Sequence, residues 1–313
     1  MITVPTIYVD CSPLMRELID EIGVPAGVTV FDGDPTPVEL EALVADAVIV
    51  LNGHTRMDAA LLAAAPHLRS VVFLGTGASS YIDITAAQRS NIRVRFVRGY
   101  GDRTIAEHAF GLLLAAARDT VRMDRDVRIG RWAASEGIEL HGKTLGLLGL
   151  GGVGSEMARI ASGFGMRVVA WNRSGIPTGV PAEAVDLDEL LSISDAVSLH
   201  LALTPETRGF LGAARLSRLK QGALLVNTAR GGLVEEGAMI AALKSMHIAH
   251  AALDVFEAEP LPAGHPLTVL DNVTLTSHAA WKSRAASRRL LQLGLDLVAT
   301  DADRLRAGQS LST

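Results

Sequence analysis

The chain of 313 residues carries 29 Lys and Arg against 34 Asp and Glu, a net charge of −5 with a pI near 6.0, and is 49% hydrophobic and 20% charged. That length holds two domains, each with its own core. The composition excludes a disordered chain, and the acidic balance excludes a broad basic field for a nucleic-acid backbone or an anionic membrane. The single cysteine, Cys11, excludes an intramolecular disulfide, no Cys and His cluster has metal-ligand spacing, and no stretch reaches the roughly 20 apolar residues of a membrane span.

Met1 to Asp10 lacks a basic region followed by a long apolar run and reads as a first strand, not a signal peptide, so a cytoplasmic protein is expected. From Thr6 to Val97, β-rich runs at Ile7–Val9, Val28–Phe31, Ala47–Leu51, Ser70–Phe73 and Ile92–Val97 alternate with helical segments near Pro13–Ile22, Pro37–Ala45, Asp58–Ala65 and Ile84–Arg89. Such alternation predicts a parallel sheet with helices on its faces. Leu74-Gly75-Thr76-Gly77 follows a strand, and loops at strand carboxyl ends are where open α/β sheets bind ligands. From Thr104 to about Ile129 the pattern is one long helix, with Ile105, His108, Ala109, Leu112, Leu113 and Ala116 on its apolar face.

A second alternating region follows, with strands predicted at Thr144–Leu148, Val168–Trp171, Ala196–His200, Ala223–Asn227, Ala249–Leu253 and Val273–Thr276, and a closing helix from Lys282 to Ala299. Six parallel strands with intervening helices describe a complete dinucleotide-binding sheet. Between the first of them and an apolar-periodic segment (Val153, Met157, Ile160, Ala161) stands Gly149-Leu-Gly151-Gly152-Val153-Gly154. Gly149 and Gly151 let the backbone turn tightly and approach a pyrophosphate, and Gly154 lets the helix pack close while its unpaired N–H groups face anionic oxygens. A glycine triplet alone is a weak signal; the strand before it and the helix after it carry the reading.

Together with these, Gly75-Thr-Gly77, Ala106-Glu-His108, Arg131-Trp132, Leu140 to Gly151, Val226 to Glu235, Ala252 to Pro262 and Thr276-Ser-His278 stand in an order that resembles the D-isomer-specific 2-hydroxyacid dehydrogenases, over roughly three quarters of the chain. The resemblance implies an α/β fold of two doubly wound parallel-sheet domains, a Rossmann cofactor domain (101–283) inserted into a flavodoxin-like substrate domain (1–100 with 284–313), an active site in the cleft between them, and a homodimer. It implies hydride transfer between a nicotinamide and a small 2-oxoacid or 2-hydroxyacid. Arg230 resembles the substrate-binding arginine, whose planar fork bridges carboxylate and carbonyl oxygens. His278 resembles the acid and base, and Glu259 its partner; a carboxylate beside an imidazole favours the protonated ring and keeps the donor loaded.

The same resemblance implies cofactor contacts from Thr76, Gly149, Gly151, Gly152, Val153, Gly154, Asn172, Arg173, Ser174, Leu201, Thr228, Ala229, Arg230, Asp254, His278 and Ala280. Substrate contacts are implied for Leu74, Gly75, Thr76, Gly77, Arg230 and His278. No metal, nucleic acid or membrane partner is expected.

Some residues depart from the family's pattern. An acidic residue usually ends the second cofactor-domain strand and bonds the adenosine ribose, whereas this chain has Trp171-Asn172-Arg173-Ser174. Without a carboxylate to repel a 2′-phosphate, and with Arg173 and Ser174 able to hold one, NADP is favoured over NAD. Phe73-Leu74 stands where the phosphoglycerate branch has a basic residue, which favours a substrate without a phosphate, such as glyoxylate or hydroxypyruvate. No regulatory tail domain is expected after Thr313. Ser277 and Ala280 replace a common Pro and Gly. The alternatives are a phosphoglycerate dehydrogenase using NAD and, from another class, a nucleotide-sensing binding protein like the C-terminal-binding corepressors.

Overall fold

The computed structural model describes residues 4–311, so the ends of the expected substrate domain, 1–3 and 312–313, lie outside the described residues. The chain divides into two compact units, one formed by the residues up to Gly101 with those from Lys282 on, the other by Asp102–Trp281.

In the first unit β1 (Thr6–Cys11), α1 (Pro13–Ile22), β2 (Val28–Asp32), α2 (Pro37–Ala45), β3 (Ile49–Asn52), α3 (Ala59–Ala63), β4 (Ser70–Phe73), α4 (Ile84–Arg89) and β5 (Arg93–Phe96) alternate. The strands pair in parallel in the order β2-β1-β3-β4-β5, a doubly wound sheet of flavodoxin type. Local chemistry starts the helices: Ser12 before Pro13, and Thr36 before Pro37 with Glu39 closing a capping box, while Asp58 and Asp83 cap α3 and α4. Strands β1, β3 and β4 are buried along their whole length, as inner strands covered on both faces must be. Val9, Val50, Val71, Leu62 and Ile92 form the centre of one core, each contributing roughly 1.5 to 3 kcal/mol by leaving water. A closing helix, Arg284–Arg306, belongs to this unit and runs beyond the predicted Ala299. Its buried Asp301 accepts from Ser70 Oγ at 2.6 Å and from Arg95 Nη1 at 2.9 Å, so the carboxylate's desolvation is offset by charge-assisted bonds.

The second unit begins with α5 (Asp102–Arg118) and α6 (Thr120–Arg128), then β6 (Thr144–Leu148), α7 (Gly152–Gly163), β7 (Arg167–Trp171), β8 (Glu183–Ala184), α8 (Leu187–Ile193) and β9 (Ala196–Leu199). It continues through α9 (Ala213–Leu216), β10 (Ala223–Asn227), α10 (Glu236–Lys244), β11 (Ile248–Leu253) and β12 (Val273–Leu275). Its parallel sheet has the order β12-β11-β10-β9-β6-β7-β8, the Rossmann arrangement with one strand added at an edge. The order reverses between β6 and β9, and that switch point carries the glycine turn.

Two further features differ from the sequence expectation. The sheet has seven strands rather than six, because the two-residue β8 pairs with Val169 and Ala170, too short a run for alternation to register. The expected single helix over 104–129 breaks at Asp119, which sits at φ 52°. Aspartate tolerates this left-handed conformation better than most side chains, and its carboxylate accepts from Ser135 Oγ at 2.9 Å and pairs with Arg122 Nε at 2.7 Å. No α6 residue is buried, so packing does not force the helix to continue straight.

Candidate active site

The glycine turn is built by close approach. Gly149 takes φ 99°, and a Cβ there would lie 2.8 Å from the His200 carbonyl oxygen; at Gly154 a Cβ would overlap the carbonyl oxygen of Gly149. Side chains are therefore excluded at both positions, and α7 starts hard against the end of β6. Around Gly151, the N-cap of α7, the space a Cβ would fill is open, and no side chain caps the helix. The first N–H groups of α7, through Gly152 and Val153, stand at the positive end of the helix dipole, where negative charge is favoured.

Asn172 follows β7 and braces this turn: its Oδ1 accepts from Leu150 N at 3.2 Å and its Nδ2 donates to the Gly175 oxygen at 2.7 Å. Arg173 and Ser174 are exposed beside it. The Glu206 carboxyl is held below its usual range, first by a bond from Thr204 and, more weakly, by the nearby Arg173 charge. His200, at the end of β9, shares a bond with Ser198 Oγ at 3.0 Å, and burial pushes its imidazole down to about 4, so it is neutral at pH 7. Leu201 follows it, partly buried.

At the end of β10 the buried Asn227 folds the chain back on itself: its Nδ2 donates to the Arg230 oxygen at 2.9 Å and its Oδ1 accepts from Ala229 N at 3.0 Å. This loop thrusts the exposed Arg230 outward, one guanidinium N–H spent on the Ala229 carbonyl at 2.6 Å. A Cβ on Gly231 would overlap the Phe256 backbone, so a glycine after the arginine is what seats the loop. Beside it Thr228 is 7% exposed, yet its Oγ1 has no partner among the described residues. A buried hydroxyl left unpaired costs about 1 to 3 kcal/mol and is expected where a ligand completes the site.

Asp254, fully buried after β11, organises the loop that carries the histidine. Its Oδ1 accepts from Thr276 Oγ1 at 2.5 Å and from Ala279 N at 2.9 Å, its Oδ2 from the buried Ala280's N at 2.9 Å, and its backbone oxygen from His278 N at 2.8 Å. His108, on α5, meets Thr276 Oγ1 at 3.2 Å. These bonds hold His278 at φ 50°, a left-handed conformation that costs a side-chain-bearing residue roughly 1 to 2 kcal/mol. Because a carboxylate only accepts, His278 Nδ1 donates to Glu259 Oε2 at 2.6 Å, and Glu259 Oε1 is fixed by Phe256 N at 2.9 Å. Nε2 is then the ring nitrogen that lies outside this bond.

In the first unit, Leu74 is buried and packs where the closing helix has Gly294; a Cβ there would overlap it. Gly75 takes φ 153°, Thr76 is exposed and Gly77 half-buried, so the loop presents backbone rather than large side chains. Sequence reading gave no role to Asp10. At the end of β1 its buried carboxylate accepts from Gly53 N at 2.7 Å, His54 N at 2.6 Å, Thr55 N at 2.8 Å and Thr55 Oγ1 at 2.8 Å, which ties down the loop after β3. The one sequence signal was an acidic residue at the end of an apolar strand. His108 and Thr276 were likewise seen only as motif members.

A Rossmann sheet with an uncapped glycine turn, next to a loop-borne arginine and a carboxylate-paired histidine, defines a dinucleotide-dependent oxidoreductase. Residues 110–280 match the family model for the NAD-binding domain of D-isomer specific 2-hydroxyacid dehydrogenases. The chain is 42% identical over 277 residues to a glyoxylate reductase of Aeropyrum pernix, covering 84% of this chain and 82% of that one. It is 38% identical over 265 residues to a D-3-phosphoglycerate dehydrogenase of Archaeoglobus fulgidus, covering 83% of this chain and 49% of the other. Among solved structures, the TT0316 protein of Thermus thermophilus superposes with a TM-score of 0.82 at 35% identity over 97% of each chain. The protein belongs to the D-isomer specific 2-hydroxyacid dehydrogenase family.

Proposed function

We propose that the protein reduces a small 2-oxoacid without a phosphate group, glyoxylate or hydroxypyruvate in type, reversibly and with NADPH in preference to NADH. The observation that carries this reading is the His278 and Glu259 couple, 2.6 Å apart on a loop held in a left-handed turn by a buried carboxylate. A bound reduced nicotinamide supplies the hydride. Gly149 to Gly154 would hold the pyrophosphate, and Thr228, Ala229 and Leu201 would contact the cofactor; the unpaired Thr228 hydroxyl and the open space at Gly151 fit such an occupant. Asp254 and Ala280, bonded to each other, would hold the nicotinamide. Arg230 holds the substrate carboxylate and draws charge from the carbonyl, and His278 Nε2 delivers the proton to the forming alkoxide. Glu259 fixes the ring and keeps Nδ1 protonated, so Nε2 is the side that gives up its proton.

In this reading Asp102–Trp281 is the cofactor domain and the other unit the substrate domain, with Leu74 to Gly77 contributing backbone contacts to substrate. Phe73 and Leu74 in place of a basic residue weigh against a phosphorylated substrate. Arg173 and Ser174, with no partner inside the turn, support NADP. A homodimer completes the proposal: Val127, Ile129 and Trp132 are 51%, 61% and 92% exposed along one stretch of the cofactor unit. Light scattering expects a dimer, and Trp132→Glu a monomer. Among the described residues no helix is long and apolar enough to cross a membrane, and a cytoplasmic location is proposed.

A panel of glyoxylate, hydroxypyruvate, pyruvate, phenylpyruvate and phosphohydroxypyruvate with each reduced cofactor tests the reading. Turnover of the first two expresses it, preference for phosphohydroxypyruvate gives the phosphoglycerate alternative, and cofactor binding without turnover of any acid gives the sensor.

A further inference from the structure

Outside the residues given a chemical role above, one bonded chain ends on the acid. His108 projects from α5, its side chain 29% exposed, and its Nε2 lies 3.2 Å from Thr276 Oγ1 and 3.6 Å from Asp254 Oδ1. Thr276 Oγ1 in turn lies 2.5 Å from that same Oδ1. The direction of each bond follows from the chemistry of the groups. An ionised carboxylate only accepts, so the single hydroxyl proton of Thr276 points at Asp254. The hydroxyl's remaining lone pairs then face His108, whose Nε2 must carry a hydrogen. Asp254 thus sets the hydroxyl rotor of Thr276, and His108, donating to the lone pair on the other side, braces the oxygen in that position.

The consequence runs into the loop. Asp254 Oδ1 takes Ala279 N and Oδ2 takes Ala280 N, each at 2.9 Å, while the Asp254 carbonyl takes His278 N at 2.8 Å. The three consecutive amides of His278, Ala279 and Ala280 thus close on one residue, and the aspartate is held by the Thr276 proton from the side that His108 controls. A loop whose central residue sits at φ 50° keeps that shape only while those amides are held.

We propose that His108 is a positioning residue for His278, acting through the Thr276 hydroxyl and the Asp254 carboxylate to hold the proton-donating ring where it reacts. This rests on the hydride-transfer reading above. His108 touches no reacting atom; it fixes the register of the loop that carries one. A reacting group displaced by about 1 Å loses rate by up to about 10²-fold, and partial loosening of a loop loses less.

The test uses His108→Leu, which removes the donor, His108→Gln, which offers an amide N–H in its place, and Thr276→Val. Two readouts are taken: steady-state reduction of glyoxylate, and hydrogen exchange of the segment 276–280, which is independent of activity. His108→Leu is expected to lower kcat about 10-fold with cofactor affinity within about 2-fold, and to speed exchange of the Ala279 and Ala280 amides. His108→Gln recovers most of both. The double variant His108→Leu with Thr276→Val falls no further than Thr276→Val alone, as two links of one chain must. Unchanged kcat in His108→Leu, equal losses in Leu and Gln variants, or additive losses in the double variant overturn the proposal. A wild type inactive on every oxoacid refutes the hydride-transfer reading and the catalytic role together, while the exchange data separately read the link from His108 to the loop.

Discussion

The cofactor preference depends on Arg173, and the turn after β7 lets its magnitude be worked. The guanidinium is exposed, makes no bond with the turn, and has Glu206 as its nearby countercharge. Hydrogen bonds to a charged group contribute roughly 1.5 to 3 kcal/mol, or about 10- to 100-fold at 1.4 kcal/mol per decade. Because the site is open to solvent and salt, the lower half of that range applies at physiological ionic strength. Arg173→Ala should therefore lower kcat/KM for NADPH by about 10-fold while NADH changes by less than about 3-fold, and the loss should shrink as salt is raised. Asn172→Asp bears on the same preference at a structural cost. The carboxylate would repel a 2′-phosphate and still accept from Leu150 N, but it cannot donate to the Gly175 carbonyl and would instead face it. We expect the double variant Asn172→Asp with Arg173→Ala to favour NADH, with stability lowered by about 1 to 2 kcal/mol. Initial rates at 340 nm with both cofactors, alongside thermal melts, decide. A wild type that already works as well with NADH, or a preference that survives Arg173→Ala, refutes the assignment of Arg173 and leaves hydride transfer standing.

Other perturbations probe the rest of the site. Arg230→Ala and His278→Ala should each lower kcat/KM for oxoacid reduction by about 10²-fold or more with cofactor affinity little changed, measured by kinetics and fluorescence titration. Glu259→Gln should lower kcat by about 10-fold or more, since a neutral amide offers the Nδ1 proton a weaker acceptor than a carboxylate and can turn its NH₂ group to the ring instead; a rate within 2-fold of wild type removes Glu259 from the mechanism. Asp254→Asn presents an NH₂ group to a ring of donors and should cost about 2 to 3 kcal/mol of stability in denaturant titrations, with activity lost as the loop opens. His200 makes stability depend on pH: unfolded, it takes up a proton near 6.5, but folded only near 4. Between those values the unfolded chain binds more protons, so stability falls as pH drops through the window, by about 2 kcal/mol at most for a partly exposed ring. His200→Asn should flatten that slope in melts at pH 4.5 and 7.

Periodicity carried most of the architecture. Val9, Val50 and Val71 sit in fully buried parallel strands, whose apolar runs are continuous and hard to miss, and the Gly149 turn lies between a strand and a helix that each announce themselves. What periodicity could not carry is set by single residues. The break at Asp119 depends on one backbone torsion stabilised from Ser135, 16 positions away. Arg230, Glu259 and His278 were legible as residue types in a familiar order, and the structure brings Glu259 and His278 into contact across 19 positions. Their supports were not: Asp10, His108 and Thr276 act through bonds to partners 22 to 168 positions distant, and no local pattern encodes a bond of that span.

The most direct test of the central claim is reduction of glyoxylate by NADPH, followed at 340 nm, in wild type and in His278→Ala at matched concentration. The account predicts steady oxidation of NADPH that depends on glyoxylate in the wild type, and a rate lower by about 10²-fold in a variant that still binds NADPH and melts as wild type does. Equal rates in the two proteins would contradict the role given to His278. Absence of turnover with glyoxylate and hydroxypyruvate in a wild type that binds the cofactor would contradict the proposed reaction itself.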